Sequence, residues 1–301
     1  MKAVLLTAYG DVDRLQLRDV TEPTAGPNEI KVRMAGASIN PIDWKLRSGA
    51  YHAFMPLELP AILGRDASGT VVAVGQGVTG FATGARVMGR VNATYAEFVV
   101  GPTDAWTPVP PGMDLVDAGA YPLVLLTGAQ LVEDAVRPGP GQQLLVTGAT
   151  GSTGRVAVFV AKAAGARVLA GVRAKHRAEA AALGADQVVA LDDEADVARL
   201  PALDAIADTV GGETTQRLLG KLKAGGTIGS VVGEPKGARE RGLTVRAIMA
   251  HADARRLAQL AGAVAEGKLV IPIARRFPLA EAGQAQKLAE SGASGKVLLT
   301  G

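Results

Sequence analysis

The stretch VTGATGSTGRV, Val146 to Val156, carries the clearest chemical pattern in the chain. Gly148, Gly151 and Gly154 stand directly after the apolar run Gln143 to Val146 and directly before the alanine-rich run Val156 to Ala164. Where strand meets helix in a dinucleotide-binding fold, glycines let the backbone approach a pyrophosphate, and the first helix amides point at that anion. In the usual G-x-G-x-x-G register the residues are Ala149, Thr150, Gly151, Ser152, Thr153 and Gly154, so alanine replaces the first glycine and Gly148 comes one position early. A tight turn without a ligand is the plainer reading, since such connectors are common in α/β sheets. Its position at the start of a regular strand and helix series favours a phosphate cradle built by Thr150, Gly151, Ser152, Thr153 and Gly154.

About twenty residues further on, an acidic side chain would grip a ribose 2′-hydroxyl. The stretch Leu169 to Arg177 holds no acid; Gly171 leaves room, and Arg173, Lys175 and Arg177 supply donors and positive charge for a 2′-phosphate. NADPH is the expected cofactor, against the alternative that these residues are only the solvated start of a helix. The chain has no cysteine, which excludes disulfides, thiolate nucleophiles and sulfur-based zinc sites. Its histidines, His52, His176 and His251, stand too far apart for metal-ligand spacing, so no metal is expected.

Around these residues, 301 positions exceed the usual single core, and 48% hydrophobic with 20% charged residues describes a folded globular chain. A formal charge of +3 is too small and scattered to mark a nucleic-acid surface. The N-terminal apolar run is too short for a signal peptide, and no uncharged run approaches bilayer length, so a cytoplasmic protein with no membrane partner is expected. Short alternating runs broken by Gly and Pro fill the first hundred or so residues and predict an irregular β-rich domain over 1–114. From Leu115 helix alternates with strand, which forces parallel pairing and a doubly wound sheet over 115–267; residues 268–301 return to β-rich text and rejoin the first domain. The strand ends at Val210 and Val232 then fall at the crevice where such a sheet holds its ligand.

Together the texts ASINPIDWKLRSGAY, LPAILGRDASGTVVAVGQGVTGFATGARV, YPLVLLTGAQ, LLVTGATGSTGRVAVFVAKAAGARV, DTVGGE and FPLAEAGQAQKLAESGASGKVLLT resemble the zinc-independent quinone oxidoreductases of the medium-chain dehydrogenase/reductase superfamily over essentially the whole chain. The resemblance implies an α/β fold, a GroES-like β-rich catalytic domain plus a Rossmann doubly wound parallel sheet. It also implies hydride transfer from NADPH to a small electrophilic acceptor, a quinone or an α,β-unsaturated carbonyl compound. Zinc-dependent relatives carry Cys near Asn40 and Gly-His-Glu where this chain has Gly64-Arg65-Asp66. By family position Asn40 and Asp43 lie beside the nicotinamide and Thr127 touches its ribose; for Asp43 a helix cap, and for Thr127 a bond to the preceding turn, are the structural alternatives. Tyr51 is the candidate phenol that donates to a developing oxyanion, unless it is an ordinary surface tyrosine. Lys45 stands where related reductases often have tyrosine, as an anion-stabilising cation or a solvated charge. Homodimers are common in the family and are an expectation here; an NADPH-binding protein of crystallin-like or regulatory role is the alternative function.

Overall fold

The computed structural model describes residues 1–301. Packing divides the chain into two units, Met1–Leu123 with Ala252–Gly301, and Val124–His251. Strands of the first unit are β1 (Lys2–Leu6), β2 (Leu15–Asp19), β3 (Glu29–Ser38), β4 (Ala61–Ile62), β5 (Ala67–Val74), β6 (Arg86–Gly89), β7 (Phe98–Pro102) and β8 (Trp106–Pro108). Those of the second are β9 (Gln143–Thr147), β10 (Arg167–Val172), β11 (Gln187–Ala190), β12 (Leu203–Asp208), β13 (Leu222–Ser230) and β14 (Thr244–Ala247), after which β15 (Ile273–Pro278) and β16 (Lys296–Thr300) complete the first.

In the first unit a seven-stranded sheet runs β15-β16-β3-β5-β6-β8, with β7 also on β3, beside a three-stranded sheet β2-β1-β4. Along β3, Ile30, Val32 and Met34 are buried at every second position, the period that sends alternate side chains to one face. They join Val71, Val87, Tyr95, Trp106 and Leu299 in one core, each large apolar side chain contributing about 1.5–3 kcal/mol of transfer free energy. The last strand, β16, pairs antiparallel with the end of β3, Leu298 opposite Ser38, which brings the C-terminal text beside the Asn40 turn. Helix α1 (Pro41–Arg47) starts there, with proline in its first turn, where a missing N–H costs nothing.

The second unit is a six-stranded parallel sheet ordered β11-β10-β9-β12-β13-β14, the Rossmann order, with the switch of direction at β9. Helices α2 (Leu115–Ala118) and α3 (Pro122–Gln130) precede it, and α4 (Ser152–Ala163), α5 (Arg177–Ala181), α6 (Glu194–Ala198) and α7 (Gly212–Leu218) link its strands. Helices α8 (Ala254–Ala265) and α9 (Ala282–Glu290) follow. Leu145, Leu169, Val189, Leu203, Ile206 and Leu218 form its core.

The unit boundaries differ from the sequence pattern at both ends. Residues 115–123 belong to the first unit because α2 packs on β3 and β5, and 252–267 because α8, whose Leu257, Leu260 and Ala261 are buried, packs on β8. A change from strand to helix period marks a change of local structure, not of the core an element joins. The helical stretch Leu115–Val136 is long and apolar enough to cross a bilayer, but it is 72% buried inside the protein, as a core helix is.

Candidate active site and cofactor cradle

In the first unit, polar side chains that are distant in sequence meet behind α1. Asn40 and Asp43 are enclosed, at 1% and 0% exposure, so any part they take in a reaction is exerted through the neighbours they hold. Asp43 Oδ2 accepts from the Asn40 N–H at 2.8 Å, as a helix cap does, and from the Tyr95 hydroxyl at 2.9 Å, while Oδ1 has no partner. Burial, partly offset by those two bonds, pushes the Asp43 carboxyl up to about 7; the Asp66 charge adds to the rise and Lys296 opposes it.

Asn40 is a relay between a cation and an anion. Its Oδ1 accepts from the buried Lys296 ammonium at 2.6 Å, and its Nδ2 donates to Asp66 Oδ1 at 3.2 Å and to Ser38 Oγ at 3.1 Å. Asp66 also accepts from Ser38 Oγ at 2.8 Å and from the Leu123 N–H at 3.2 Å, yet burial still raises its carboxyl above the usual value. Burial likewise lowers Lys296, against the pull of Asp66 and Asp43. Sequence reading missed Lys296. A lysine leading the apolar strand KVLLT was the available signal, because a charge at the head of a buried run needs a partner.

Lys45 and Tyr51 come together as a pair. Helix α1 carries Lys45, and the turn after it returns Tyr51 so that the ammonium donates to the phenol oxygen at 3.1 Å and lies 5.1 Å from the ring centroid. Both are half-buried. Behind them Arg47, almost fully buried, donates to Gly10 O, Gln286 Oε1 and Glu290 Oε2 and ties α1 to α9.

The cradle lies in the second unit, at the carboxyl end of β9. Gly148 takes φ +63°, so the turn's glycine is one residue earlier than the usual motif, and Ala149, fully buried, donates its N–H to Gly171 O at 3.1 Å. A Cβ on Gly154 would collide with the Gly148 carbonyl and lie 2.8 Å from Ala149 Cα, which is why glycine stands where helix meets strand. Gly151 caps α4 without a side-chain hydrogen bond, so side chains leave the amides of its first turn, at Ser152 and Thr153, uncapped for an anion. Arg155, absent from the sequence reading, holds the loop shape: its Nε donates to Thr150 O at 2.9 Å and its Nη2 to Glu179.

The crevice walls are organised by buried Asp208 at the end of β12. It accepts from Thr147 Oγ1 at 2.8 Å, Thr215 Oγ1 at 2.7 Å and the Gly211 N–H at 3.0 Å, and it holds Ser230 Oγ at 3.3 Å. Val210, 48% exposed, and half-buried Val232 cap the ends of β12 and β13 beside it. A Cβ on Gly128 would approach Val156 Cβ to 2.5 Å, so α3 packs tightly on the first turns of α4, one residue from half-buried Thr127. Of the basic trio, Arg173 and Lys175 are exposed with no acidic partner, whereas Arg177 is bound by Asp196, which itself accepts from Ala190 N. Asp192, beyond the stretch read for acids, reaches Ala174 N at 2.7 Å.

The cradle combines an uncapped helix start with close-packed glycines, a geometry suited to an anion. The family described as "Alcohol dehydrogenase GroES-like domain" matches residues 26–111, and that described as "Zinc-binding dehydrogenase" matches 183–299. The chloroplast envelope quinone oxidoreductase homolog of Arabidopsis thaliana is 33% identical over 63% of this chain, and the match spans 60% of that relative's length. A 2-haloacrylate reductase of Burkholderia is 28% identical over 95% of the chain and 94% of the relative. Among solved structures, an NAD-dependent alcohol dehydrogenase matches at TM-score 0.87 and 30% identity over 100% of both chains. The quinone oxidoreductase from Coxiella burnetii matches at 0.90 and 28% identity over 100% of this chain and 99% of that one. The chain belongs to the medium-chain dehydrogenase/reductase superfamily, whose membership implies a nicotinamide cofactor. It is similar to quinone oxidoreductases and to a 2-haloacrylate reductase.

The zinc named by one matching family does not fit these residues. There is no cysteine, no group of three or more His, Cys, Asp or Glu side chains converges on a point, and the Asn40 side chain is committed to Lys296, Ser38 and Asp66.

Proposed function

We propose that this chain is an NADPH-dependent, zinc-independent reductase of quinones or α,β-unsaturated carbonyl acceptors. The Lys45 ammonium bonded to the Tyr51 hydroxyl carries the reading, because a cation behind a phenol makes that phenol a better donor to an oxygen gaining negative charge. When bound, the reduced nicotinamide supplies the hydride. Thr150, Gly151, Ser152, Thr153 and Gly154 hold the pyrophosphate, Thr127, Val210 and Val232 line the dinucleotide, and exposed Arg173 and Lys175 meet the 2′-phosphate. Arg177 supports them through Asp196. Asn40 and Asp43, locked by Lys296 and Tyr95, fix the start of α1 and with it the placement of Lys45. The 2-haloacrylate reductase among the relatives supports a conjugated double bond as the reducible group.

A screen of quinones, enals and enones, read as loss of reduced-nicotinamide absorbance, tests this. Turnover is expected with NADPH ahead of NADH, and Tyr51→Phe should lower kcat about a hundredfold with little change in NADPH affinity. Stabilisation by NADPH with no turnover of any acceptor would instead indicate the binding protein.

A further inference from the structure

Two arginines of the first unit, Arg65 and Arg90, hold no carboxylate. Arg47, Arg155 and Arg177 each hold a carboxylate, from Glu290, Glu179 and Asp196 respectively. Arg65, by contrast, donates Nη1 to the Asn92 amide oxygen at 3.0 Å and Nη2 to the Met55 sulfur at 2.9 Å, both neutral acceptors. Half-buried Arg90 makes no side-chain hydrogen bond or ion pair, and its Nε is shut away from solvent without a partner. Burial first, and the Arg65 charge second, hold Arg90 below the ordinary arginine value, with Asp66 opposing. Asp66 cannot serve as a full counterion, because Ser38, Asn40 and the Leu123 amide already occupy it. One short turn links Arg65 to the residue that bears the phenol: Met55 lies against Arg65 and donates its N–H to the Tyr51 backbone carbonyl at 2.6 Å.

Arg65 and Arg90 flank the paired ends of β5 and β6, where Ala67 faces Gly89, and Arg65 reaches Asn92, two residues from Arg90; two such partly buried guanidinium groups without a carboxylate are costly unless an anion completes them. We propose that Arg65 and Arg90 recognise a carboxylate on the acceptor, so that the substrate class is an α,β-unsaturated carboxylic acid. This rests on the reductase reading and narrows it. A free carboxylate feeds electron density into a conjugated double bond and makes its β-carbon a poor hydride acceptor. Pairing with two guanidinium groups withdraws that density and faces the negative charge that grows as hydride adds. The balance is complete: the β-carbon takes hydride, the α-carbon takes a proton by way of the Tyr51 hydroxyl from solvent, the double bond becomes single, and the reduced nicotinamide is oxidised.

The test compares a 2-enoic acid with its methyl ester, the ester being intrinsically the better electrophile, in the cofactor-loaded enzyme. Wild type should prefer the acid in kcat/KM by about tenfold or more. Arg65→Gln and Arg90→Gln should each lower the acid-to-ester ratio about tenfold to a hundredfold, with Arg90→Lys restoring part of it. A wild-type ratio at or below one overturns the proposal and needs no variant to fold; so does an unchanged ratio in variants that melt normally. Turnover of quinone or ester in either case leaves the reductase reading standing, whereas no nicotinamide oxidation with any acceptor removes that reading as well.

Discussion

Asp43 shows how a single buried group sets a measurable property. Its carboxyl titrates near 7 in the folded protein against 3.8 ordinarily, so between those values the native state holds a proton that the unfolded chain has released. The stability this contributes is fully present below about 4 and is lost as pH rises through about 7, at up to about 1.4 kcal/mol per pH unit. Asp43→Asn keeps an acceptor for Tyr95 and the Asn40 N–H and offers a donor where Oδ1 is unpaired. The expected result is a flatter melting-temperature profile from pH 4.5 to 8 for the variant, and a wild-type profile that falls more steeply. Parallel profiles for the two proteins would show that Asp43 is ionised throughout.

At the scale of elements, the junction of β9 with α4 is the least forgiving place. The Gly154 approach to Gly148 and Ala149 leaves no room for a methyl group, so Gly154→Ala must push the helix off the strand. A loss of roughly 1–3 kcal/mol is expected, together with the disappearance of the NADPH-induced rise in melting temperature. Calorimetry with and without cofactor reads both. A variant that melts lower but still gains the full NADPH shift would show that the cradle is not the pyrophosphate site. The sequence pattern located this junction, with alanine for the motif's first glycine and Gly148 one position early. The structure adds the reason: Gly148 takes the left-handed conformation and Ala149 packs inward.

For the molecule as a whole, the proposed preference for NADPH rests on the balance of charge around the end of β10. Arg173 and Lys175 are unpaired, Arg177 is held by Asp196, and Asp192 adds a negative charge close by. Arg173→Glu should therefore weaken NADPH by about tenfold or more while barely changing NADH, read by fluorescence titration of the two nucleotides. Equal losses for both would remove Arg173 from 2′-phosphate recognition. Local order made much of this molecule legible beforehand. Alternation of helix and strand fixes parallel pairing, glycine spacing marks the cradle, and missing cysteines remove thiolate chemistry, all consequences of residue type and short-range period. Partnerships across the chain were not legible. Lys296 reaches Asn40 over 256 positions, Arg47 reaches Glu290 over 243, and Arg177 finds Asp196 rather than solvent, because only a folded sheet brings such residues within hydrogen-bond range. Tertiary structure also decided which core each boundary helix joins and that Asn40 and Asp43 are enclosed, since burial depends on every element packed around a residue and not on its neighbours in sequence.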